Sequence, residues 1–454
     1  MANSDGLSPR VRAERTYLAL VIGLPLLAIL AYFVFAFFLR DHIGGCPPAC
    51  RDQDLTARAM AQADFQGADL RAANLARNNL TQANFANADF SFANLAGADL
   101  TGANLQNANL TAAALNDAIL HNTDLRNAIL RGARLQAADF ADADLRGADV
   151  SAATLDEANL RGTIIDDSTL LDPRWRLVWQ IVNEPADGRD LAGADLRAAN
   201  LVAANLTMAD LTAADLRDAI LTGANLTGAR LELARLQQAR LDDATQIDPK
   251  WRLVWEIVNT IEANRTLPAA DLSDSFLGGA YLRSADLTGA NLGGAHLRDA
   301  DLRHAILDGA DLRGADLTNA SIQEGSLRDA DLRGTILTQT DLRLVDLRGA
   351  VVDTTTQMAD NQRLAFDLAA NGGEGRDLSG AFLPWADLAG VDFSSANLAG
   401  ADLHNADLSG ASLVNADLRG VNLTETNLRG ADLTGALLDD AALDNTQLDG
   451  AILP

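Results

Sequence analysis

A large apolar residue recurs at every fifth position along most of the chain, beginning at residue 55. The first run starts with Leu55, Met60 and Phe65, and the pattern covers about three quarters of the sequence. Alanine usually stands two positions before this central residue, and Asp or Asn usually stands directly before it, as before Leu70. A helix repeats at 3.6 residues and a flat strand at 2, so neither element produces this period. The backbone must therefore turn a corner in each repeat.

If each repeat forms one side of a square, four repeats close a coil of about 20 residues, which is a solenoid period. The central residue and the alanine would then point inward, and hydrogen bonds would join neighbouring coils about 4.8 Å apart. Phe65 and Phe85 are 20 residues apart and should stack on one face. The pattern therefore predicts an all-β solenoid, built as a quadrilateral β-helix.

The repeat reads A-[DN]-L-x-x, for example at residues 68–72 and 401–405, and it resembles the pentapeptide-repeat family. The resemblance implies a right-handed quadrilateral β-helix. It does not imply one activity, because members of the family range from topoisomerase-binding DNA mimics to proteins of unknown role.

The repeat pattern restarts in a new phase three times, which divides the solenoid into four segments. We predict coils over residues 55–170, 191–246, 272–356 and 378–454. Short helical inserts should separate them, over residues 171–190, 247–271 and 357–377.

The inserts carry related sequences, at residues 172–183, 248–259 and, more weakly, 360–371. Asp172 and Asp248 are predicted N-caps, because a proline follows each of them at the first helical position. Asn183 and Asn259 are predicted to end these helices in the left-handed conformation.

The first two helices should each have one apolar face. In the first, Trp175, Val178, Trp179 and Val182 follow the spacing i, i+3, i+4 and i+7. Such a face can cover the hydrophobic end of a coil, as capping elements do in solenoids. The alternative is a docking surface for a peptide or a protein; we favour capping. The candidate capping or interaction residues are Trp175, Trp179, Trp251 and Trp255.

The N-terminal region contains 23 consecutive uncharged residues, 17–39. This length suits a membrane span, which needs about 20 residues, better than the shorter apolar stretch of a cleaved signal peptide. Arg10, Arg12 and Arg15 precede it, which favours a cytoplasmic N-terminus and an extracytoplasmic solenoid in a single-pass membrane protein. The predicted N-terminal tail, transmembrane helix and linker are residues 1–16, 17–39 and 40–54.

Two cysteines follow the apolar segment, Cys46 and Cys50. They form either a disulfide, which would persist outside the cytoplasm, or two free thiols, and the sequence leaves both alternatives open. Two cysteines alone do not supply the ligands of a zinc site.

The sequence predicts no catalytic, cofactor-binding or metal-binding residues, and we do not expect an enzyme. None of the five histidines has a partner at metal-ligand spacing, and the common nucleotide-binding and hydrolase motifs are absent. The many aspartates occupy a fixed place in the repeat, where a short polar side chain can hydrogen-bond the corner backbone. Asp301 and Asp341 should also compensate the charges of Arg303 and Arg343.

The net charge of −26 and the single lysine, Lys250, argue against direct binding of nucleic acid. The predicted function is a membrane-anchored, non-enzymatic scaffold or spacer that mediates protein–protein interaction with an unknown partner. The alternative is an acidic DNA mimic that binds a topoisomerase. Its net charge per unit length would be only about half that of DNA.

Overall fold

The computed structural model describes residue 46 and residues 48–56, 58–184 and 187–454. The predicted tail and transmembrane helix, residues 1–16 and 17–39, lie outside the described residues. Within the described residues, no helix is both long and apolar enough to cross a bilayer. This finding contradicts the predicted single-pass membrane localisation, and that prediction is not retained.

Each five-residue repeat forms one side of a coil and pairs with the repeat 20 residues away. The Asp or Asn before each central residue makes a single parallel β-bridge, as between Asp69 and Asp89. Leu70 N–H donates to the Asp89 carbonyl (2.8 Å), and Asp89 N–H donates to the Ala68 carbonyl (2.9 Å). Because every repeat also contains a turn, the pairing stays confined to isolated bridges, and the described residues contain no extended strands. The fold is a β-solenoid with four repeats in each coil.

The corner of each repeat is a tight turn that follows the central residue. Ala73 N–H donates to the Leu70 carbonyl at 3.1 Å, which closes the turn. The residue two after the centre, Ala72, has a φ of 54°, in the left-handed region that a type II turn requires at this position. Many repeats place glycine here, which adopts positive φ without a steric penalty.

The core is a narrow column of leucine and alanine inside the coils. The central residue and the alanine two before it are buried in most repeats, as Leu100 and Ala98 are. The rings of Phe65 and Phe85 stack with centroids 5.5 Å apart, which confirms the stacking predicted from their spacing.

The described residues fall into two compact units, which divide between Asn183 and Glu184. The first unit contains coil segment 1, residues 49–170. The second unit contains coil segments 2, 3 and 4, at residues 188–246, 264–357 and 373–452.

The coils begin earlier than the sequence predicted in all four segments, with segment 2 beginning at Gly188 rather than at residue 191. Ala49 already bridges Asp69, inside the predicted linker 40–54. Segments 3 and 4 begin at Asn264 and Gly373, each of which donates its N–H to the following coil. Their first repeats lack the consensus alanine, but the backbone hydrogen bonds still hold them in register.

Three helices separate the segments: α1 (Pro173–Asn183), α2 (Pro249–Asn259) and α3 (Asp360–Asn371). The prediction that Asp248 is the N-cap of α2 is confirmed, and the predicted left-handed helix ends are wrong. Asp248 stands at the N-cap of α2, but its side chain makes no capping hydrogen bond. Helix α2 ends in an extended residue, Thr260, and neither Asn183 nor Asn259 has a positive φ. Both asparagines instead use their side chains to cap a coil, as described below.

Candidate interaction site

The corner aspartates serve the coil itself. The Asp69 carboxylate accepts the backbone N–H of Arg71 and also two hydrogen bonds from the Arg71 guanidinium, at 2.8 and 2.6 Å. These hydrogen bonds lower the pKa of Asp69 to about 2. The predicted compensation of Arg303 by Asp301 is confirmed, with an ion pair of 2.6 Å. The same Asp-Leu-Arg arrangement occurs at Asp124, Asp144, Asp195, Asp215, Asp311, Asp331, Asp341, Asp346 and Asp417.

No group of three or more His, Cys, Asp or Glu residues that could hold a metal ion occurs in the described part of the chain. His121 and His404 each contact one aspartate, Asp139 and Asp402, at 2.6 and 2.7 Å. Cys46 and Cys50 are joined by a disulfide at the start of segment 1. These groups therefore do not converge on a reactive centre.

The tryptophans of α1 and α2 pack against the end of the preceding coil. Trp175 and Trp251 are buried. Trp179 and Trp255 are half-buried, and each indole N–H donates to a coil carbonyl, at 2.8 and 2.7 Å. On this face Ile181 is buried, whereas Val182 is only half-buried. These contacts belong to a cap.

Asn183 and Asn259 complete the cap, because their side chains make the hydrogen bonds that a following coil would otherwise make. The Asn183 side-chain amide donates to the Leu160 carbonyl (2.9 Å) and accepts the Gly162 N–H (2.6 Å). Asn259 donates to the Leu236 carbonyl in the same way (2.9 Å) and accepts the Gln238 N–H. The carbonyls of the buried residues Leu160 and Leu236 at the end of each coil are thus paired, as buried backbone groups must be.

Sequence reasoning missed a second part of the cap, a D-x-x-T motif before each helix. In segment 2, Asp242 N–H donates to Thr245 Oγ1 (3.1 Å), and Thr245 N–H donates to the Asp242 carboxylate (2.9 Å). Thr245 Oγ1 donates to the Leu221 carbonyl, and Arg252 of α2 donates to the Thr245 carbonyl (2.7 Å). The motif recurs at Asp166/Thr169 with Arg176 and at Asp353/Thr356 with Arg363. The threefold D-x-x-T-x6-R spacing was the available signal.

Within the second unit, a backbone hydrogen bond at one corner joins the coil before each helix to the coil after it. Leu344 N–H donates to the Trp385 carbonyl (2.7 Å), which joins the last coils of segment 3 to the first coil of segment 4. Leu233 N–H makes the equivalent bond to the Asp274 carbonyl (2.7 Å) between segments 2 and 3. Both bonds join residues 41 positions apart, so the two junctions share one backbone arrangement.

The junction of segments 3 and 4 encloses a cavity of about 250 Å³, which we call the junction cavity. Helix α3 contributes Asn361 and Gln362, and segment 4 contributes Pro384 and Trp385. The Arg343 guanidinium lies over the Trp385 ring, 5.5 Å from its centroid. The remaining lining residues are Thr340, Asp341, Leu342, Val345, Leu347, Ala365, Leu383, Ala386 and Asp387.

Asp387 gives the junction cavity its electrostatic character. It is half-buried and sits in a ladder of carboxylates with Asp346 on one side and Asp407 on the other. Burial raises the pKa of Asp387, and repulsion by these two carboxylates raises it further, while Arg348 acts in the opposite direction. Among the corner aspartates whose pKa is shifted, the others in the described residues are shifted downward, for example Asp417 to about 2.

The chain matches the family model for Pentapeptide repeats (8 copies) over more than half of its length. The matches cover residues 63–102, 93–132, 133–170, 187–218, 209–245, 269–303, 295–334, 326–352, 386–424 and 416–453. The chain belongs to the pentapeptide-repeat family. None of the curated proteins compared with it matches.

Three solved pentapeptide-repeat structures are similar to this family member. HetL of Nostoc sp. strain PCC 7120, involved in heterocyst differentiation regulation, is 25% identical, with 68% of this chain and 89% of HetL covered and a TM-score of 0.21. Rfr23 of the cyanobacterium Cyanothece 51142 is 26% identical, with 28% and 94% covered and a TM-score of 0.16. QnrB1, a plasmid-mediated fluoroquinolone resistance protein, is 14% identical, with 70% and 93% covered and a TM-score of 0.18.

Proposed function

We propose that this pentapeptide-repeat protein is a non-enzymatic scaffold or spacer that mediates protein–protein interaction through the outer faces of its coils. The coils would wind right-handed, as the resemblance to the family implies. The observation that supports this function is that the polar side chains of the repeat bind groups of the coil itself. The corner carboxylates accept backbone N–H groups and pair with arginines two positions on, as Asp301 does with Arg303. Side chains held in this way are suited to shaping a surface for recognition.

The same pairing argues against the DNA-mimic alternative. A mimic needs a surface of uncompensated negative charge, comparable to DNA with one charge per about 1.7 Å of helix axis. Here the arginines of the Asp-Leu-Arg repeats, such as Arg313 and Arg333, lie 2.5 Å from their carboxylates. Much of the acidic ladder is therefore neutralised locally.

The test is direct binding by the full chain. Partners are captured from the source cells with the immobilised chain, purified, and measured against it by isothermal titration calorimetry. An unrelated acidic protein of similar net charge is the control. We expect at least one partner that binds the purified chain and not the control. If no captured protein binds the purified chain directly, the scaffold proposal is wrong.

A second assay separates the alternative. Purified bacterial type II topoisomerase is assayed for DNA supercoiling with increasing amounts of the full chain. We expect no inhibition beyond that of the acidic control protein. Inhibition at concentrations near that of the enzyme would favour the DNA mimic instead.

A further inference from the structure

The junction cavity holds a carboxylate that the coil does not neutralise. Asp387 accepts the backbone N–H of Ala389 at 3.0 Å, as other corner aspartates accept theirs. Among the described residues, however, no basic side chain lies within ion-pair distance of Asp387. Two positions later, where the Asp-Leu-Arg repeats have arginine, the chain has Ala389. A half-buried carboxylate in such a place gains from an external cation.

Arg343, the basic residue that contacts the aromatic wall, is already paired with another carboxylate. Arg343 Nε and Nη2 bind the Asp341 carboxylate at 2.8 and 2.6 Å, and its guanidinium covers Trp385. Arg348 is bound in the same way to Asp346. Asp346 also pairs with Arg328. Of the charged residues that line the cavity, Asp341 and Arg343 form a pair, so Asp387 gives the lining a net negative charge.

The size and walls of the cavity limit what fits. At about 250 Å³ it lies below the 300–1,000 Å³ typical of sites for drug-sized ligands and suits a single side chain. Pro384, Trp385 and Leu342 provide an apolar wall for methylene groups. Next to it, the Phe382 ring is 55% exposed, in a chain with few aromatic residues. Aromatic residues, phenylalanine among them, are enriched in protein interfaces.

We propose that the junction cavity is the site at which this protein binds a basic side chain, arginine or lysine, of a partner protein. The inference rests on the proposed scaffold function and assigns one contact of it. The charged head would pair with Asp387, and the methylene stem would pack on Pro384 and Trp385. A cation that pairs with a partly desolvated carboxylate forms a strong charge-assisted hydrogen bond.

The equivalent junction of segments 2 and 3 provides an internal comparison. There Phe276 takes the place of Asp387, two positions after the residue whose carbonyl accepts the corner hydrogen bond. A cavity beside it is lined by Arg217, Asp218, Arg235 and Phe276, among others, and the Arg235 guanidinium lies 5.0 Å from the Phe276 centroid. The backbone arrangement is the same, but the lining carries two arginines. This second cavity should therefore not bind a cation.

The experiment uses the full chain labelled with fluorotryptophan and observed by fluorine NMR. The Trp385 signal is assigned by its loss in Trp385→Phe. The probe is N-acetyl-arginine amide, and N-acetyl-citrulline amide is the neutral probe of the same shape. We expect the arginine probe to shift the Trp385 signal saturably, and the citrulline probe to leave it unchanged. Binding should weaken as the pH falls through the pKa of Asp387, with Asp346, Asp407, Asp341, Arg343 and Arg348 as the other titratable groups around it.

The deciding variant is Asp387→Asn, with Asp218→Asn at the second cavity as a control for the loss of a carboxylate elsewhere in the second unit. We expect Asp387→Asn to weaken binding of the arginine probe at least tenfold and Asp218→Asn to leave it unchanged. Asp387→Asn should fold, because a carboxylate whose pKa is raised in the folded state destabilises it at neutral pH. Equal binding by Asp387→Asn, or equal shifts of all tryptophan signals, would overturn the site. If a partner from the capture experiment then still binds, the scaffold function stands without this contact.

Discussion

At the scale of single residues, the corner aspartate explains most of the chemistry of the repeat. It accepts the backbone N–H two positions later and thereby stabilises the turn, as Asp and Asn side chains commonly do. Asn fills the same role at Asn104, where its oxygen accepts the N–H of Gln106 at 3.1 Å. Asp adds a negative charge that can pair with an arginine at that later position, as Asp301 pairs with Arg303. The choice between Asp and Asn therefore decides the charge of the surface and leaves the fold unchanged.

Asp346 should make the stability of the coils depend on acid. Burial raises the pKa of this carboxyl, but hydrogen bonds from Arg348 and Arg328 outweigh burial and lower the pKa to about 2. A lowered pKa stabilises the fold above the unfolded value, near 3.8, and this contribution is lost as the pH falls through about 2. We expect Asp346→Asn to destabilise the full chain between pH 5 and 7, and this difference to shrink below about pH 4.

Urea unfolding of both chains across this pH range measures the effect of Asp346→Asn. Thr101→Ala is the control, since the residue is on the outer side of a coil and carries no charge. A difference for Asp346→Asn that stays constant down to pH 3 would contradict the assigned ion pairs.

A smaller side chain at one inward position and a larger side chain at the other should both lower the stability of the coil. Leu100 and Ala98 are both fully buried. Leu100→Ala should cost about 2–5 kcal/mol through the cavity it leaves. Ala98→Leu should cost about 1–3 kcal/mol because the crowded corner cannot take a larger side chain. Thr101→Ala should stay within about 0.5 kcal/mol. Chemical denaturation compares the three, and a tolerated Ala98→Leu would contradict the packed column.

At the scale of elements, each cap consists of two parts, a turn and a helix. The D-x-x-T turn closes the last coil, and the following helix covers it. The bridge before each helix spans one residue more than the usual 20, for example from Asn225 to Gln246. In segment 2 the extra residue lies in the D-x-x-T turn, between the central residue Leu241 and the bridge at Gln246. This arrangement ends a coil in the interior of a chain without leaving its backbone unpaired.

Asn259 should be essential to the second cap. Asn259→Ala removes both the donor to the Leu236 carbonyl and the acceptor for the Gln238 N–H. We expect a loss of about 1–3 kcal/mol, the usual cost of leaving a buried polar group such as the Leu236 carbonyl unpaired. Glu256→Ala, on the same helix, is the matched control and should stay within about 0.5 kcal/mol. Equal effects of the two changes in thermal unfolding would show that the asparagine does not cap the coil.

The sequence predicted the elements better than their ends. The fivefold pattern is strong because each central leucine must be buried, so the coils were predicted correctly. The helices were predicted where the period of the apolar positions changes. The start of segment 3 was missed because Leu267 follows Arg265 and Thr266, and register there depends on backbone hydrogen bonds. The junction cavity could not be predicted, because its walls come from residues 41 positions apart that only the folded junction brings together. Asp387 itself looks like any other corner aspartate in the sequence.

At the scale of the whole molecule, stability should be local. In a solenoid each repeat contacts only its neighbours, so cooperativity spreads by nearest-neighbour contacts. In the second unit, α2 and α3 interrupt the coils, and at each junction a corner hydrogen bond joins consecutive segments, from Leu233 to Asp274 and from Leu344 to Trp385. A disturbance in one segment should therefore fade before it reaches the next but one.

Hydrogen exchange can measure this decay. Leu408 is fully buried in segment 4, and Leu408→Ala should lower amide protection in the coils around it through the cavity it creates. Protection in segment 2, residues 188–246, should not change, because segment 3 and two helices separate it from the mutation. Mass spectrometry of the exchanged full chain reads both regions in one experiment, with Ser409→Ala, on the outer side of the same coil, as the control. A uniform loss of protection across the second unit would show instead that its three segments unfold together, because local opening would then carry the same free energy as global unfolding.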